Sequence, residues 1–297
     1  MAINVSLGMY SVREIMHLEP LGTVKNCAEA GFHYLYLPTP HKTDKAGLMY
    51  GQSAEIWKKT MEDADVEIVG GYVPADLRLA ESYIDFYARL NAKQVIIPID
   101  YFPSSDALKK NCELYNWLGT LCKNSGLELL YENHYHEFQM IDGKKIMDIL
   151  LEETDKELFS IALNSYWMMR GLINPLKFLK ENGERVKIII QQDYPLEEID
   201  KFNMWRFDRY HPIAKNISYK NLLKGNEIEN IHPVQSELFC EIGEGIIALQ
   251  PIIDLANEFN NIHYVMLKQD YTHMTSEYES VALSAKNYHS VRDVIWK

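Results

Sequence analysis

The run Val186-Lys-Ile-Ile-Ile-Gln-Gln192, with its counterpart Gln94-Val-Ile-Ile-Pro-Ile99, decides the fold. Both are short, β-branched and apolar at successive positions. An extended chain points successive side chains to opposite faces. Runs of this kind therefore bury both faces, as strands of a parallel sheet covered by helices do. Outward from these two, similar runs recur, and the strands are expected at residues 3–8, 34–38, 67–72, 94–99, 128–133, 160–164, 187–191 and 263–269. The longer segments between them carry helix punctuation. Gly31 and Gly126 stand where helices end ahead of a strand. Residues 106–123 place Leu108, Leu114, Leu118 and Leu121 close to a helical stripe.

Eight strand–helix units in 297 residues predict an α/β chain folded as one (β/α)8 TIM barrel spanning residues 1–297. An open doubly wound sheet would carry a glycine-rich phosphate turn after its first strand. Here that strand runs into Met9-Tyr-Ser-Val-Arg-Glu14, so no nucleotide cofactor is expected. One irregularity is a loop insertion at 194–239, after strand seven, too long for a plain connection. It brings Trp205, Arg206, Phe207, Arg209, Tyr210 and His211, an aromatic and basic cluster suited to a lid, a subunit contact or a small local core.

Composition narrows the partners. The formal charge is −12 with no block of like charges. Phosphate-backbone binding needs a basic stripe, so neither nucleic acid nor an anionic membrane is expected as a partner. No apolar run reaches the roughly 18 residues of a membrane span. The N-terminus lacks a basic region followed by an apolar one. Four scattered cysteines, Cys27, Cys112, Cys122 and Cys240, form no CxxC pair and read as reduced thiols of a cytoplasmic protein.

In such a barrel the reactive groups sit at the C-terminal ends of the strands. The places to look are residues 10–13, 72–74, 100, 132–137, 164–167, 191–193 and 268–270. Several of these stretches carry a resemblance. Met9-Tyr-Ser-Val-Arg-Glu14 is similar to an LYSVRD segment, and Tyr131-Glu-Asn-His-Tyr-His-Glu-Phe138 to YHNHDFEF. Asn164-Ser-Tyr-Trp167, with Arg170-Gly171 and Asn174-Pro175, is similar to DTYW followed by AGVDP. Gln191-Gln192-Asp193 falls at HLKD, Gly243-Glu-Gly245 matches GEG, and Lys268-Gln269-Asp270 falls at EQD. In this order the chain resembles the sugar phosphate isomerase/epimerase family of the xylose-isomerase-like TIM barrel superfamily.

The resemblance implies one divalent metal, manganese or zinc, held by a carboxylate from strand five, Asp from strand six, His from strand seven and Glu from strand eight. Such a cation polarises a sugar oxygen while flanking carboxylates move protons. This sequence departs from that set. Strand five keeps Glu132 and Glu137, but Asn164 replaces the Asp, the His position falls on Ile190, and Lys268 replaces the Glu. A metal at the usual place is therefore disfavoured; were one bound, Glu132, His134, Glu137 and Asn164 would hold it. Lys268 is open to several readings: it snorkels to solvent, pairs with Asp270 or Glu137, supplies an ammonium in the metal's place, or loses its proton and acts as a base.

The expected catalytic residues are Glu132, Glu137 and Lys268. His134, Asn164, Tyr166, Trp167, Gln192 and Asp270 are expected to bind substrate. Tyr166 and Trp167 suit either packing or the apolar face of a sugar ring, and Arg170 either a surface ion pair or a phosphate. The resemblance thus implies a sugar or sugar-phosphate isomerase or epimerase that abstracts a proton next to a carbonyl, acting on a small-molecule sugar. Two alternatives stay open: a non-catalytic sugar-binding or partner subunit, and a lyase acting on a modified sugar such as a C-glycoside. The resemblance also leaves homo-oligomerisation open.

Overall fold

The computed structural model describes residues 2–41, 43–204 and 236–297. Eight parallel strands alternate with helices: β1 (Ile3–Gly8), β2 (Tyr34–Leu37), β3 (Glu67–Tyr72), β4 (Gln94–Ile97), β5 (Glu128–Glu132), β6 (Ser160–Asn164), β7 (Val186–Gln191) and β8 (Tyr264–Leu267). Each pairs with the next, and β8 returns to β1, with Asn4 opposite Tyr264 and Leu7 opposite Leu267. The barrel is closed, so it has no free edge in this ring. A ninth short strand, β9 (Val294–Ile295), adds to β1 outside the ring.

The expected strands are all present, and most differences lie at their ends. Strand two stops before Pro38 and strand four before Pro98, since proline has no N–H to give the ladder. Strand eight stops at Leu267, so Lys268 lies just beyond it, its N–H donating to Gln191 O at 3.0 Å.

Two apolar layers form the core. Inward-facing Val69, Ile96, Leu130, Ala162, Ile188 and Met266 fill the barrel. The outward-facing residues, such as Val5, Leu35 and Val95, pack against the helical ring. That ring comprises α1 (Pro20–Glu29), α2 (Ala54–Ala64), α3 (Ala80–Arg89), α4 (Ser105–Asn124), α5 (Ile146–Glu153), α6 (Ser165–Arg170), α7 (Pro175–Asn182), α8 (Gln250–Ala256) and α9 (Glu277–Tyr288). Helix α4 starts where Ser104 accepts the Ala107 N–H at 3.2 Å. It buries Leu108, Leu118 and Cys122, while Leu114 and Leu121 are only half-buried at the flank of the stripe. Each fully buried leucine contributes about 2 kcal/mol. Gly119 lets α4 approach the chain ahead of β6, where a Cβ would lie 2.1 Å from Leu158 O.

The cysteines are unpaired, and three of them are buried. Among the described residues no helix is long and apolar enough to cross a membrane. Of the expected insertion at 194–239, the described flanks form short 3-10 turns at Leu196–Lys201 and Ser236–Leu238. An antiparallel bridge between Asp193 and Cys240 draws the flanks together. Tyr194, Met204, Leu238 and Phe239 then pack with Tyr135, Tyr166 and Trp167 in a separate apolar cluster. The aromatic and basic residues from Trp205 to His211 lie outside the described part.

Candidate active site

Glu132 ends β5 with the same strand parity as Leu130, so it faces the barrel interior, and it is buried. Its carboxylate accepts three hydrogen bonds. Tyr72 Oη donates to Oε2 at 2.6 Å; Asn164 Nδ2 at 2.8 Å and Lys268 Nζ at 2.9 Å donate to Oε1. Lys268 is also buried, its ammonium 3.6 Å from Asp270 Oδ1 and 5.4 and 5.7 Å from the ring centres of Tyr10 and Tyr72. Burial by itself favours the neutral amine, but the charges of Asp270 and Glu132 together outweigh it and hold Lys268 above the ordinary lysine value. Burial, and then the Glu132 charge, push the Tyr72 phenol well above its usual range. The cluster thus sets the Lys268 ammonium and the neutral Tyr72 phenol against the Glu132 side chain. Lys268 neither snorkels outward nor pairs with Glu137; its ion partners are Glu132 and Asp270.

Asn164 fixes the orientation of the next groups. Its side-chain oxygen caps α6 by accepting the Trp167 N–H at 3.2 Å. Its NH2 must then face the acceptors, Glu132 Oε1 and, at 2.8 Å, Gln192 Oε1. With its oxygen occupied, the Gln192 amide turns its Nε2 away from Asn164. That nitrogen is buried without a hydrogen-bond partner among the described residues. Asn133 braces the same corner, accepting the Asn164 N–H at 2.8 Å and donating to Asn164 O at 3.2 Å.

These residues do not fit a divalent cation at the implied place. Of the four positions only Glu132 brings a carboxylate, and Lys268 already neutralises it. The Asn164 oxygen is turned to Trp167, and Ile190 is an aliphatic member of the barrel core with Ile188 and Met266. A divalent ion beside the Lys268 ammonium would meet like-charge repulsion. Among the described residues no group of three or more His, Cys, Asp or Glu could hold a metal.

The other expected residues fall in different places. His134 lies beyond the end of β5 and Glu137 in the 3-10 segment His136–Phe138 that follows, so strand parity no longer directs them. Glu137 is buried, accepting from Tyr131 Oη at 2.7 Å and the His134 N–H at 2.8 Å, while Lys268 pairs with Glu132 and Asp270. The His134 ring lies 5.5 Å from Trp167 and 5.9 Å from His136. Tyr166 stacks on Phe239 at 5.2 Å and donates to Leu238 O at 2.7 Å, which ties it to the flank of the insertion. Arg170 is buried, against the expectation of a surface ion pair. It donates to Phe202 O, Lys201 O and Tyr166 Oη and lies near the rings of Tyr166, Trp167 and Tyr194.

Asp193 binds the Gly243-Glu-Gly245 turn, accepting the N–H groups of Gly243 at 2.9 Å, Gly245 at 3.1 Å and Ile247 at 2.9 Å. A Cβ at Gly245 would lie 2.3 Å from Asp193 Oδ1, which explains the glycine. Tyr10 and Tyr72 join the cluster without having been singled out from the sequence. Their signal was position alone, at the ends of strands one and three.

No protein-family model matches the chain. An inosose dehydratase from Clostridium perfringens is 21% identical over 272 residues, 83% of this chain and 84% of the relative. A sugar phosphate isomerase/epimerase structure from Parabacteroides distasonis superposes with a TM-score of 0.74 at 16% identity, covering 99% of this chain and 96% of the other. The structure of a probable 3-DHS dehydratase from Bacillus anthracis superposes with a TM-score of 0.66 at 13% identity, covering 98% and 100%. At these identities the likeness to solved structures speaks for the fold: the chain is a (β/α)8 TIM barrel of the xylose isomerase-like kind.

Proposed function

We propose that this barrel is a carbohydrate-modifying enzyme that forms an enolate or enediolate next to a carbonyl, with the Lys268 ammonium in the place of a divalent cation. The observation that carries the reading is the buried Lys268–Glu132 pair at the C-terminal mouth, with Asp270 beside it. Support also comes from the relatives, whose names span isomerase/epimerase and dehydratase. Both classes can begin by removing a proton from the carbon next to a carbonyl.

Glu132 already accepts from three donors and serves to hold Lys268 rather than to take a proton. Asp270 is the more exposed carboxylate, and among the described residues its Oδ1 accepts no hydrogen bond, the Lys268 ammonium lying 3.6 Å away. The substrate carbonyl oxygen accepts from Lys268, Asp270 takes the α-proton, and the electron pair moves onto the oxygen, where the ammonium stabilises it. Return of the proton to the former carbonyl carbon, with the α-hydroxyl proton passing to the former carbonyl oxygen, gives isomerisation; protonation of the α-carbon by water from the opposite face gives epimerisation. Loss of a β-hydroxyl as water gives dehydration.

Incubation in deuterium oxide with D-fructose, D-tagatose and 2-keto-myo-inositol, read by proton NMR, tests this. Deuterium is expected at the carbon next to the carbonyl of at least one probe. Asp270→Asn and Lys268→Met should each slow it by about a hundredfold or more. No exchange into any probe would leave a sugar-binding barrel without this chemistry.

A further inference from the structure

We infer that Gln192 is a specificity-determining residue whose amide Nε2 donates to an oxygen of an uncharged polyhydroxy ketone, selecting the free sugar over its phosphate ester. The inference rests on the reading of the mouth as a carbohydrate site and names the class of ligand it takes.

The direction of the Gln192 amide is set by hydrogen bonds that start at a helix end. The Asn164 oxygen caps α6, its NH2 therefore faces Gln192 Oε1 at 2.8 Å, and the Gln192 Nε2 is left pointing elsewhere. Gln192 is fully buried, and this nitrogen has no partner among the described residues. A buried donor without a partner is costly and calls for an acceptor beyond the described residues, which a bound ligand supplies. The polar contacts run from Asp270 through Lys268, Glu132 and Asn164 to Gln192. Among the described residues the two ends of that line are both unfilled: Asp270 Oδ1 lacks a hydrogen-bond donor, and Gln192 Nε2 lacks an acceptor. A ligand that offers a hydroxyl or C–H at one end and an oxygen acceptor at the other completes both.

Charge decides between a free sugar and its ester. The cluster holds one ammonium against the carboxylates of Glu132 and Asp270, leaving it net negative among the described residues. The nearby Arg13 is engaged by Tyr10 O at 3.0 Å and Glu14 at 3.5 Å. Gln192 brings a neutral donor where a lysine or arginine would serve a phosphate. The shared chemistry is a carbonyl or hydroxyl oxygen on an uncharged ring or chain.

Gln192→Glu separates the two roles of this amide. The new side chain keeps an oxygen for the Asn164 NH2 but replaces the donor with a second acceptor, so the ligand contact is lost; because it also buries a charge, thermal melting checks that the fold is kept. Titration calorimetry would use D-fructose, D-tagatose and 2-keto-myo-inositol, beside D-fructose 6-phosphate, with thermal melting as the control. The wild type should bind at least one uncharged probe more tightly than the phosphate ester. Gln192→Glu should weaken that binding by about tenfold or more while melting close to the wild type, and Gln192→Asn, which keeps the donor, should weaken it less. Equal binding by the wild type and Gln192→Glu, preference for the phosphate ester, or no binding of the three uncharged probes would overturn the inference. Deuterium exchange that persists in Gln192→Glu with unchanged affinity would sink this role alone, whereas binding that depends on Gln192 without any exchange would sink the catalytic reading alone.

Discussion

Asp193 shows how one side chain sets the shape of the barrel mouth. Its two oxygens accept the N–H groups of Tyr194, Gly243, Gly245 and Ile247, of which those to Tyr194 and Ile247 are buried. Asp193→Ala should destabilise the chain by roughly 3 kcal/mol, read by urea unfolding, because hydrogen bonds to a charged acceptor are among the stronger ones. Lys268 makes a prediction of a different kind. Its folded value is raised, so the stability it contributes is complete below the unfolded lysine value and is lost as the pH climbs through the folded one. The stability difference between the wild type and Glu132→Gln/Lys268→Met should hold steady from about pH 6 to 9 and change only above about pH 10.4. A change that begins below pH 8 would mean the ammonium is not held by its neighbours. Lys268 and Asn164 could be singled out from the sequence because the resemblance marks those two positions. Tyr72 could not, since an aromatic residue in a strand reads as core, and the direction of the Gln192 amide depends on a cap on a neighbouring helix.

Among the elements, the strands are legible in the sequence because runs such as 94–99 and 186–192 are apolar on both faces, which few other local structures tolerate. The chain beyond a strand end is less legible. By count His134 shares the parity of Glu132, but β5 stops at Glu132 and a turn comes next, so alternation no longer applies and Glu137 swings to Tyr131. Arg170 reads in the sequence as a surface ion pair or a phosphate contact. The flanks of the insertion fold over it, and among the described residues its guanidinium donates to main-chain carbonyls and the Tyr166 hydroxyl. Helix α6 tests the link between element and site. Asn164→Ala removes the cap and both donor contacts of its NH2, and should cost about 2–3 kcal/mol by chemical denaturation. Asn164→Ser, which restores the cap alone, should recover about 1 kcal/mol of that.

At the scale of the whole molecule, closure of β8 onto β1 brings Lys268 to Glu132, 136 positions earlier in the chain. No local pattern predicts that contact; it arises only once eight parallel strands are closed into a ring. The same closure sets Ile190 inside the barrel, where the implied metal set would need an imidazole. The fold is therefore shared in outline with the relatives it superposes on, while the centre of its mouth carries an organic cation. This ammonium is expected to exclude a divalent ion from the site. Calorimetric titration of manganese(II) into the chelator-treated protein checks it: the wild type should show no stoichiometric uptake tighter than about 1 mM, and Lys268→Glu tighter uptake. Stoichiometric, micromolar binding of manganese by the wild type, abolished in Glu132→Gln, would contradict it.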